Sequence, residues 1–386
     1  MAAVELEVLK QFKKNVADIL TPNDTDPHLL KWLKSKNYHI KKAEASFREA
    51  HAFREFYALD RLFKTTAKPE VAEKFGISAF LGYAKDGSVI RYTNFGRGDH
   101  YGLIASMSAY PLGLYGIRIM EEDCEQQRMR EKITGESVLE ITYVLDLEGL
   151  HIPDILHRCV YETGVDLVHI AQEFYPEIWG SVFFINAPPY FDAVFNLFKP
   201  VMRMSLIQKT QVLSRDSTAE VLLKYIDEDV LPDFLGGQRT DFKPLGRKVP
   251  EKYYLCHLPF LNPSDPGVID VCLRPRSVYN HPVMVSKPNT TIRVEVRTER
   301  GSIQMSIYYR NITIFSNETD ELTMDETEEH CHTLKVSPVM RVQTHMSPIN
   351  DTNIAPKPGL YIYRFINCSS WFTSRRLMVR IMALDS

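Results

Sequence analysis

Residues 177–200 constrain the fold of this chain more than any other segment, because an apolar strand is followed there by an unusually apolar helix. Residues 181–186 predict a buried strand, which Pro188 and Pro189 end. The helix predicted over residues 190–199 is more apolar than a surface helix needs to be. Its apolar side chains are those of Phe191, Val194, Phe195, Leu197 and Phe198. The segment therefore predicts either a large core or a hydrophobic ligand that this helix covers.

The length and charge of the chain exclude several classes of protein. A chain of 386 residues is longer than one typical domain and predicts two or three. The formal net charge of −3 argues against a nucleic-acid-binding protein, which usually carries a strong basic excess. No apolar signal segment stands at the N-terminus, and the apolar run around Phe183 is too short to span a bilayer. We therefore expect a cytoplasmic protein that binds no nucleic acid.

The cysteines and glycosylation sequences agree with this location. Six cysteines are scattered without Cys-x-x-Cys spacing, which indicates reduced thiols. Six Asn-x-Ser/Thr sequences, the last at Asn367, are expected to stay unmodified because the chain shows no secretory signal.

The spacing of apolar residues divides the chain into three structural parts. Residues 4–70 show helical spacing, which predicts a small helical lobe. Between residues 80 and 237, strands alternate with helices, which predicts a mixed, mostly parallel sheet with helices packed on it. After a polar linker, short strands separated by turns predict an all-β sandwich. The predicted domains are a helical lobe at 1–70, an α/β domain at 71–240, a linker at 241–252 and a β-sandwich at 253–386.

Catalytic and metal-binding patterns are missing from the sequence. It contains no Gly-x-Ser-x-Gly, P-loop, Gly-x-Gly-x-x-Gly or His-Glu-x-x-His motif. Asp146 and Glu148, at the end of a predicted strand, are better explained as structural hydrogen-bonding groups than as catalytic carboxylates. We therefore predict no enzyme activity, no catalytic residue, no metal site and no cofactor.

Five short motifs follow one another in a fixed order along the middle of the chain. They are Asp-Leu-Glu-Gly-Leu at 146–150, Phe-Tyr-Pro-Glu at 174–177, Phe-Ile-Asn-Ala-Pro at 184–188, Leu-Phe-Lys-Pro at 197–200 and Phe-Leu-Gly-Gly at 234–237. In this order they resemble the signatures of the CRAL-TRIO family, and residues 29–34 resemble the helical lobe that precedes its domain. The C-terminal third, with Gly-Leu-Tyr-Ile-Tyr-Arg-Phe at 359–365, resembles a GOLD domain. The combination resembles the supernatant protein factor or tocopherol-associated subgroup of phosphatidylinositol-transfer-like proteins.

The resemblance implies that one hydrophobic molecule, a bound lipid, lies inside the α/β domain beneath a movable gate helix near residues 190–200. The apolar residues of this gate are Phe191, Val194, Phe195 and Phe198. Burying two or three of them in a bilayer would contribute several kcal/mol, at about 1.5–3 kcal/mol each, which suffices for transient docking but not for permanent anchoring. On helical spacing alone, ordinary core packing explains them better.

The resemblance also implies a site for the lipid headgroup. In the phosphatidylinositol-binding members, a Glu and a Lys form part of the inositol-phosphate site, and Glu177 and Lys209 stand at the matching positions. A Lys suits a phosphate, and a Glu can accept hydrogen bonds from inositol hydroxyls. A simple salt bridge or two solvated side chains explain the pair equally well. Ile141 and Tyr143 stand where the family uses small hydroxyl residues for choline lipids, which argues against a phosphatidylcholine ligand.

The predicted cavity walls are inward-facing strand residues and one helix residue nearby. They are Tyr92, Tyr143, Leu145, Phe174, Val182 and Phe184. Each is explained equally well as part of an ordinary core.

The combined prediction is a protein that binds one phosphatidylinositol-type or other lipid in an internal cavity and exchanges it at membranes. Its expected partners are a phospholipid or other small lipophile, a membrane contacted transiently and, through the GOLD domain, a protein. The expected location is the cytoplasm, at the periphery of Golgi or other membranes. The alternative is a lipid-sensing adaptor whose GOLD domain recruits Golgi, vesicle or signalling proteins.

Overall fold

The computed structural model describes residues 3–61, 67–258, 261–312, 333–368 and 371–384. Its internal contacts divide the chain into two compact units. The first unit comprises Met1–Ser46, Lys68–Leu103 and Gly113–Tyr253. The second unit comprises Phe47–Ala67, Ile104–Leu112 and Tyr254–Ser386. Two segments of the second unit, Phe47–Ala67 and Ile104–Leu112, lie within the predicted helical lobe and the predicted α/β domain. The sequence pattern did not predict that they group with the C-terminal residues.

Three helices begin the chain, as the apolar residues at helical spacing predicted. They are α1 (Ala3–Asn15), α2 (Asp26–Ser35) and α3 (Ile40–Phe56). Helix α2 follows an extended residue, Thr25, and has a proline in its first turn, which is a favourable start for a helix. Its side chains Leu29, Trp32 and Leu33 are buried. The predicted helical N-terminus is confirmed.

A five-stranded mixed sheet forms the centre of the first unit. Its strands are β1 (Ser78–Tyr83), β2 (Val89–Asn94), β3 (Ile141–Asp146), β4 (Trp179–Ile185) and β5 (Thr210–Val212), which lie side by side in this order. Strands β1 and β2 are antiparallel, and the other neighbouring pairs are parallel. The β1–β2 turn has Gly87 at φ +84° and is closed by the Ser88 backbone N–H, which donates to Asp86 Oδ1 at 2.9 Å. The predicted mixed, mostly parallel sheet is confirmed.

Helices connect these strands and lie against both faces of the sheet. They are α4 (Glu70–Phe75), α5 (His100–Ser106), α6 (Ala109–Thr134), α7 (Ile152–Leu156), α8 (Arg158–Phe174), α9 (Phe191–Phe198), α10 (Met204–Gln208) and α11 (Arg215–Tyr225). None of the described helices combines the length and the apolarity needed to cross a membrane.

The two faces of the sheet carry different side chains, because successive residues of a strand point to opposite sides. On one face, Tyr92, Val144 and Phe183 are fully buried in a cluster with Leu222 of α11. The other face, which we call the gate-side face, carries Arg91, Tyr143, Leu145, Val182 and Phe184.

A buried ion pair joins helix α6 to the gate-side face. The Arg91 side chain, which is 1% exposed, donates from Nε to Asp123 Oδ1 at 2.9 Å. Asp123 is fully buried, and its other carboxylate oxygen accepts from the Tyr143 hydroxyl at 3.4 Å. The Glu122 carboxylate lies 3.7 Å from the guanidinium. Since neither buried charge reaches water, the Arg91 guanidinium and the Asp123 carboxylate depend on each other for compensation.

Two antiparallel sheets form a β-sandwich in the second unit. Their strands are β6 (Ile269–Leu273), β7 (Val278–Val285), β8 (Thr290–Thr298), β9 (Ile303–Arg310), β10 (Thr333–Lys335), β11 (Met340–Val342), β12 (Ile349–Ala355), β13 (Gly359–Ile366) and β14 (Arg375–Leu384). One sheet has the order β10-β9-β13-β7, with β11 also paired to β9, and the other has the order β12-β8-β14-β6. Both sheets contribute to a single core, which includes Val296, Ile307 and Tyr363 and which Phe56 of α3 joins. The predicted all-β C-terminal region is confirmed.

We expect Asp123→Ala to destabilise the first unit by about 3–5 kcal/mol, because the Arg91 charge would stay buried without its partner. Urea unfolding followed by tryptophan fluorescence measures this in a Trp371→Phe background, where the remaining Trp32 and Trp179 both belong to the first unit. The control is the double variant Arg91→Met/Asp123→Leu, which should recover most of the loss because neither charge remains. An unchanged free energy of unfolding in Asp123→Ala would contradict the assigned role.

Candidate functional site

The Asp146 carboxylate forms hydrogen bonds at the carboxyl ends of the central strands β2, β3 and β4. It accepts hydrogen bonds from the Tyr92 hydroxyl at 2.9 Å, the Asn186 side-chain amide at 2.8 Å and the Glu148 backbone N–H at 3.0 Å. Asn186 has φ +52°, a left-handed conformation that Asn adopts more readily than most residues, and it lies where the chain leaves β4 toward α9. Asp146 is therefore the structural hydrogen-bonding group that its position predicted.

Helix α9 lies on the gate-side face with its aromatic side turned inward. Phe191 and Phe195 pack against Phe184, with ring centroids 5.1 and 5.5 Å from the Phe184 ring. Val194 is buried beside them, whereas Leu197 on the outer side is 46% exposed. The helix thus covers the sheet with the residues that the sequence analysis assigned to the gate.

The end of this helix is also packed. The Phe198 ring lies 5.2 Å from the Tyr161 ring of α8, and the Lys199 ammonium lies 5.1 Å from the centre of the Phe195 ring. In this conformation the gate aromatics pack inward against Phe184 and Tyr161, because an amphipathic helix buries its apolar side. Contact between these aromatics and a membrane stays a prediction.

Four of the six predicted cavity residues lie together on the gate-side face, where β3 and β4 pair. They are Tyr143, Leu145, Val182 and Phe184. The prediction for Tyr92 was wrong, because the alternation of side chains along β2 turns it to the opposite face, where it is fully buried. Phe174 is buried near the C-terminal end of α8.

The middle of the gate-side face keeps accessible surface although a helix covers it. Tyr143, Leu145 and Phe184 are partly exposed, whereas Val144 and Phe183 on the opposite face are fully buried. Burial nevertheless raises the pKa of Tyr143 well above its usual value. The gate-side face thus keeps apolar surface that is not fully packed by its own neighbours.

A shallow cleft that opens to solvent lies where β4 begins and β5 approaches. It is lined by Gln172, Glu177, Trp179, Arg203, Ser205, Leu206 and Lys209, and we call it the Lys209 cleft. It brings together the two residues predicted to bind a headgroup, Glu177 and Lys209, whose charged atoms lie 3.9 Å apart.

The Lys209 ammonium has two closer partners than Glu177. It donates to the Trp179 carbonyl at 2.7 Å and to Glu140 Oε1 at 3.0 Å. The Glu177 carboxylate accepts from the Ser205 hydroxyl at 3.3 Å. Because an ammonium has three donors and a carboxylate can accept several hydrogen bonds, both groups can bind a further polar ligand. The geometry is compatible with a structural ion pair and with a ligand site.

Arg203 brings a second cation to this cleft. Gln172 Oε1 accepts from the Arg203 backbone N–H at 2.7 Å, and Gln172 Nε2 donates to the Val201 carbonyl at 2.9 Å, which fixes the backbone before α10. Burial lowers the pKa of Arg203, against the opposing effect of Glu177 and Glu173. In the described part of the chain, no carboxylate forms an ion pair with the Arg203 guanidinium.

Lys31 of α2 adds a third cation close to the cleft. Its ammonium donates to the Leu139 carbonyl. Burial lowers its pKa to about 8, and the charges of Glu140, Lys209 and Glu177 also act on it. The N-terminal helices thus contribute to the charge of a cleft formed by the central sheet and its helices.

The sequence analysis missed Arg203, Ser205 and Lys31. Lys31 stands among other lysines of the N-terminal helices, a pattern typical of a solvated face. Arg203 carried a weak signal, because it is the only basic residue between Lys199 and Lys209 in a mostly apolar segment.

Residues 73–237, which include the sheet, helix α9 and the Lys209 cleft, match the family model of the CRAL/TRIO domain. Among solved structures, the crystal structure of Sfh5 is similar, with a TM-score of 0.41 and 17% sequence identity; the match covers 56% of this chain and 82% of that chain. The resemblance to the CRAL-TRIO family is therefore confirmed over residues 73–237, which form a CRAL/TRIO-like domain. Domains of that family bind lipophilic ligands.

Proposed function

We propose that this protein binds a single inositol phospholipid, with its acyl chains between α9 and the gate-side face and its headgroup in the Lys209 cleft. Helix α9 then acts as the gate through which the lipid is exchanged at a membrane. The observation that carries the proposal is the accessible surface of Tyr143, Leu145 and Phe184 in the middle of a sheet that a helix covers. Their aromatic and aliphatic character suits acyl chains.

The chemistry of the cleft favours an inositol headgroup over an uncharged lipid. The Lys209 ammonium and the Arg203 guanidinium suit a phosphodiester, because both donate charge-assisted hydrogen bonds. The Glu177 carboxylate and the Ser205 hydroxyl suit the hydroxyl groups of a sugar-like ring. Tyr143 at a position where the family uses a small hydroxyl residue argues against phosphatidylcholine.

The cost of exposing a lipid to water explains why exchange requires a membrane. A phospholipid carries roughly 30 methylenes, and their exposure at about 0.8 kcal/mol each would cost on the order of 20 kcal/mol or more. When α9 opens against a bilayer, Phe191 and Phe195 pass from an apolar protein surface to hydrocarbon, so their burial is not lost. Leu197, already exposed, is suited to make the first contact with the bilayer.

We also propose that the β-sandwich is a GOLD domain and that the protein resides at the periphery of Golgi or other membranes. The support is the all-β sandwich of two antiparallel sheets together with the motif at residues 359–365. The second candidate function is a lipid-sensing adaptor, favoured by the open sheets of this sandwich, because a partner strand can add to the edge of such a sheet.

Mass spectrometry of the purified full chain under native conditions, followed by lipid extraction, tests the proposed function directly. We expect one inositol phospholipid for each protein chain. A chain that carries no lipid and extracts none from phosphatidylinositol-containing vesicles would overturn the proposal.

Removing the Lys209 charge should weaken the transfer of phosphatidylinositol. A charge-assisted hydrogen bond is worth about 1.5–3 kcal/mol, so Lys209→Ala should lower apparent affinity roughly tenfold to a hundredfold. The matched control is Lys224→Ala, which removes an exposed lysine paired with Glu220 on α11. Equal transfer by both variants would contradict a headgroup role for Lys209.

Changes on the outer side of α9 should slow lipid pick-up without disturbing the core. Leu197→Asp removes an apolar side chain worth about 1.5–3 kcal/mol at the membrane, so the rate of lipid extraction from vesicles should fall roughly tenfold. The control Asn196→Asp adds the same charge to a neighbouring exposed position. Phe195→Asp should abolish pick-up, and its thermal unfolding shows whether the fold survives. If Leu197→Asp and Asn196→Asp extract lipid from vesicles at the same rate, the proposed role of α9 as a gate is refuted.

Binding of an anionic headgroup should weaken with rising pH through Lys31. Because burial lowers the Lys31 pKa to about 8, its charge is largely present near about pH 7 and is lost toward about pH 9. The affinity for phosphatidylinositol should therefore fall about fivefold across this window. Lys31→Arg stays charged and should remove the fall. A fluorescent phosphatidylinositol binding assay measures both proteins, and the same fall in Lys31→Arg would exclude Lys31 as the cause.

A further inference from the structure

We propose that the β-sandwich carries a membrane-contact site of its own, separate from α9. Trp371 and Phe372 insert into the interface of an anionic bilayer, and Arg274 and Arg276 bind the phosphate groups of its lipids. The inference does not depend on which lipid the CRAL/TRIO domain holds.

The exposure of the two aromatic side chains is the first observation. Trp371 is 69% exposed and Phe372 is 94% exposed, in the loop between β13 and β14. Most of the surface of both side chains is therefore open to solvent. Two adjacent large aromatics exposed in this way are unfavourable in water and add little to the core.

The loop that carries them is held in place by a buried side chain. Asn367 is fully buried, and its amide donates to the Leu273 carbonyl at 3.1 Å and to the Thr373 carbonyl at 3.0 Å. The Asn367 carbonyl accepts from the Arg276 backbone N–H at 2.8 Å, and the Asn367 backbone N–H donates to the Ser277 carbonyl at 3.2 Å. The aromatic loop and the arginine loop are thus one hydrogen-bonded platform, and the Asn367 amide is not accessible for glycosylation in the folded protein.

The charge beside the aromatic pair is the second observation. The Arg276 guanidinium lies 3.4 Å from the centre of the Trp371 ring, and Arg274 is exposed in the same turn. In the part of the chain that the structure describes, neither arginine forms an ion pair. The neighbouring acids Asp270 and Glu299 are both paired with Arg376, at 2.7 Å each, and not with these two arginines.

This combination fits a lipid surface better than a protein partner. Tryptophan prefers the boundary between water and hydrocarbon, and arginine binds phosphate oxygens with its planar donors. To bury Trp371 and Phe372, a protein partner would need a pocket of matching shape, whereas a fluid bilayer can rearrange around them. The overall net charge of −3 means that attraction to anionic lipid is a local property of this platform.

Cosedimentation of the full chain with vesicles tests the proposal, using phosphatidylcholine with and without phosphatidylserine. Trp371→Ser/Phe372→Ser should weaken partition onto the anionic vesicles roughly tenfold or more. Arg274→Gln/Arg276→Gln should remove the preference for phosphatidylserine and the sensitivity to salt. The matched control is Met284→Ser/Ile354→Ser, which removes two apolar side chains that are 53% and 58% exposed elsewhere on the sandwich.

Tryptophan fluorescence gives a direct reading of insertion. Anionic vesicles should shift the emission of the full chain to shorter wavelength, and lipids with brominated acyl chains should quench it. Trp371→Phe should keep vesicle binding but lose this response, which assigns it to Trp371. The Leu197→Asp variant should keep this fluorescence response to anionic vesicles. The Trp371→Ser/Phe372→Ser variant should still carry its bound lipid when it is measured by mass spectrometry. These two variants therefore test the membrane-contact site and the gate separately.

Two results would overturn the proposal. One is equal vesicle partition of the Trp371→Ser/Phe372→Ser variant and the Met284→Ser/Ile354→Ser control. The other is a vesicle-induced emission shift of the same size in Trp371→Phe as in the unchanged protein. If either result is found while lipid pick-up is intact, the gate proposal is unaffected. Such a result would indicate that Trp371 and Phe372 bind a protein partner instead of a bilayer.

Discussion

The unequal packing of the two faces of the central sheet is the constraint on which the rest of the first unit depends. One face is filled by Tyr92, Val144 and Phe183, all fully buried. Close-packed interiors resist compression, so this face acts as a rigid wall. Any change of volume is therefore confined to the gate-side face, where Tyr143 and Phe184 keep accessible surface beneath α9. The proposed position of the ligand and the proposed movement of α9 both rest on this difference.

Polar interactions set the limits of the accessible region. The Arg91–Asp123 ion pair belongs to the part of the gate-side face covered by α6, and the aromatic contacts of Phe184 belong to the part covered by α9. The charges satisfy each other and do not require water, so they can lie beside an apolar ligand at little further cost. At the other end, Lys209 and its neighbours open toward solvent. Along the gate-side face, paired charges are thus followed by apolar surface and then by a cleft of charged side chains that opens to solvent.

Much of this fold was predictable from the period of the apolar residues, and some of the site was not. Alternation along β2 identified a strand but not which of its faces meets the gate helix, so Tyr92 was assigned to the wrong side. The apolar side of α9 was predicted correctly. The spacing of apolar residues, however, does not show whether such a side packs against protein or against lipid. Lys31 and Arg203 resemble ordinary surface cations in sequence, because their burial comes from contacts with residues far away in the chain. The exposure of Trp371 could not be predicted from the sequence either, because large aromatic side chains are usually buried.

The division of the chain into units has a consequence for its synthesis. Phe56 belongs to the core of a sandwich whose strands begin only at Ile269, and Ile104–Leu112 is assigned to the same unit. On the ribosome, these early segments emerge long before the strands that bury them, while the CRAL/TRIO residues between them are already complete. A nascent chain of this protein therefore keeps the apolar side chains of these early segments uncovered until the strands of the sandwich have been synthesised. The last residues to be made are thus the ones that complete a core begun near the N-terminus.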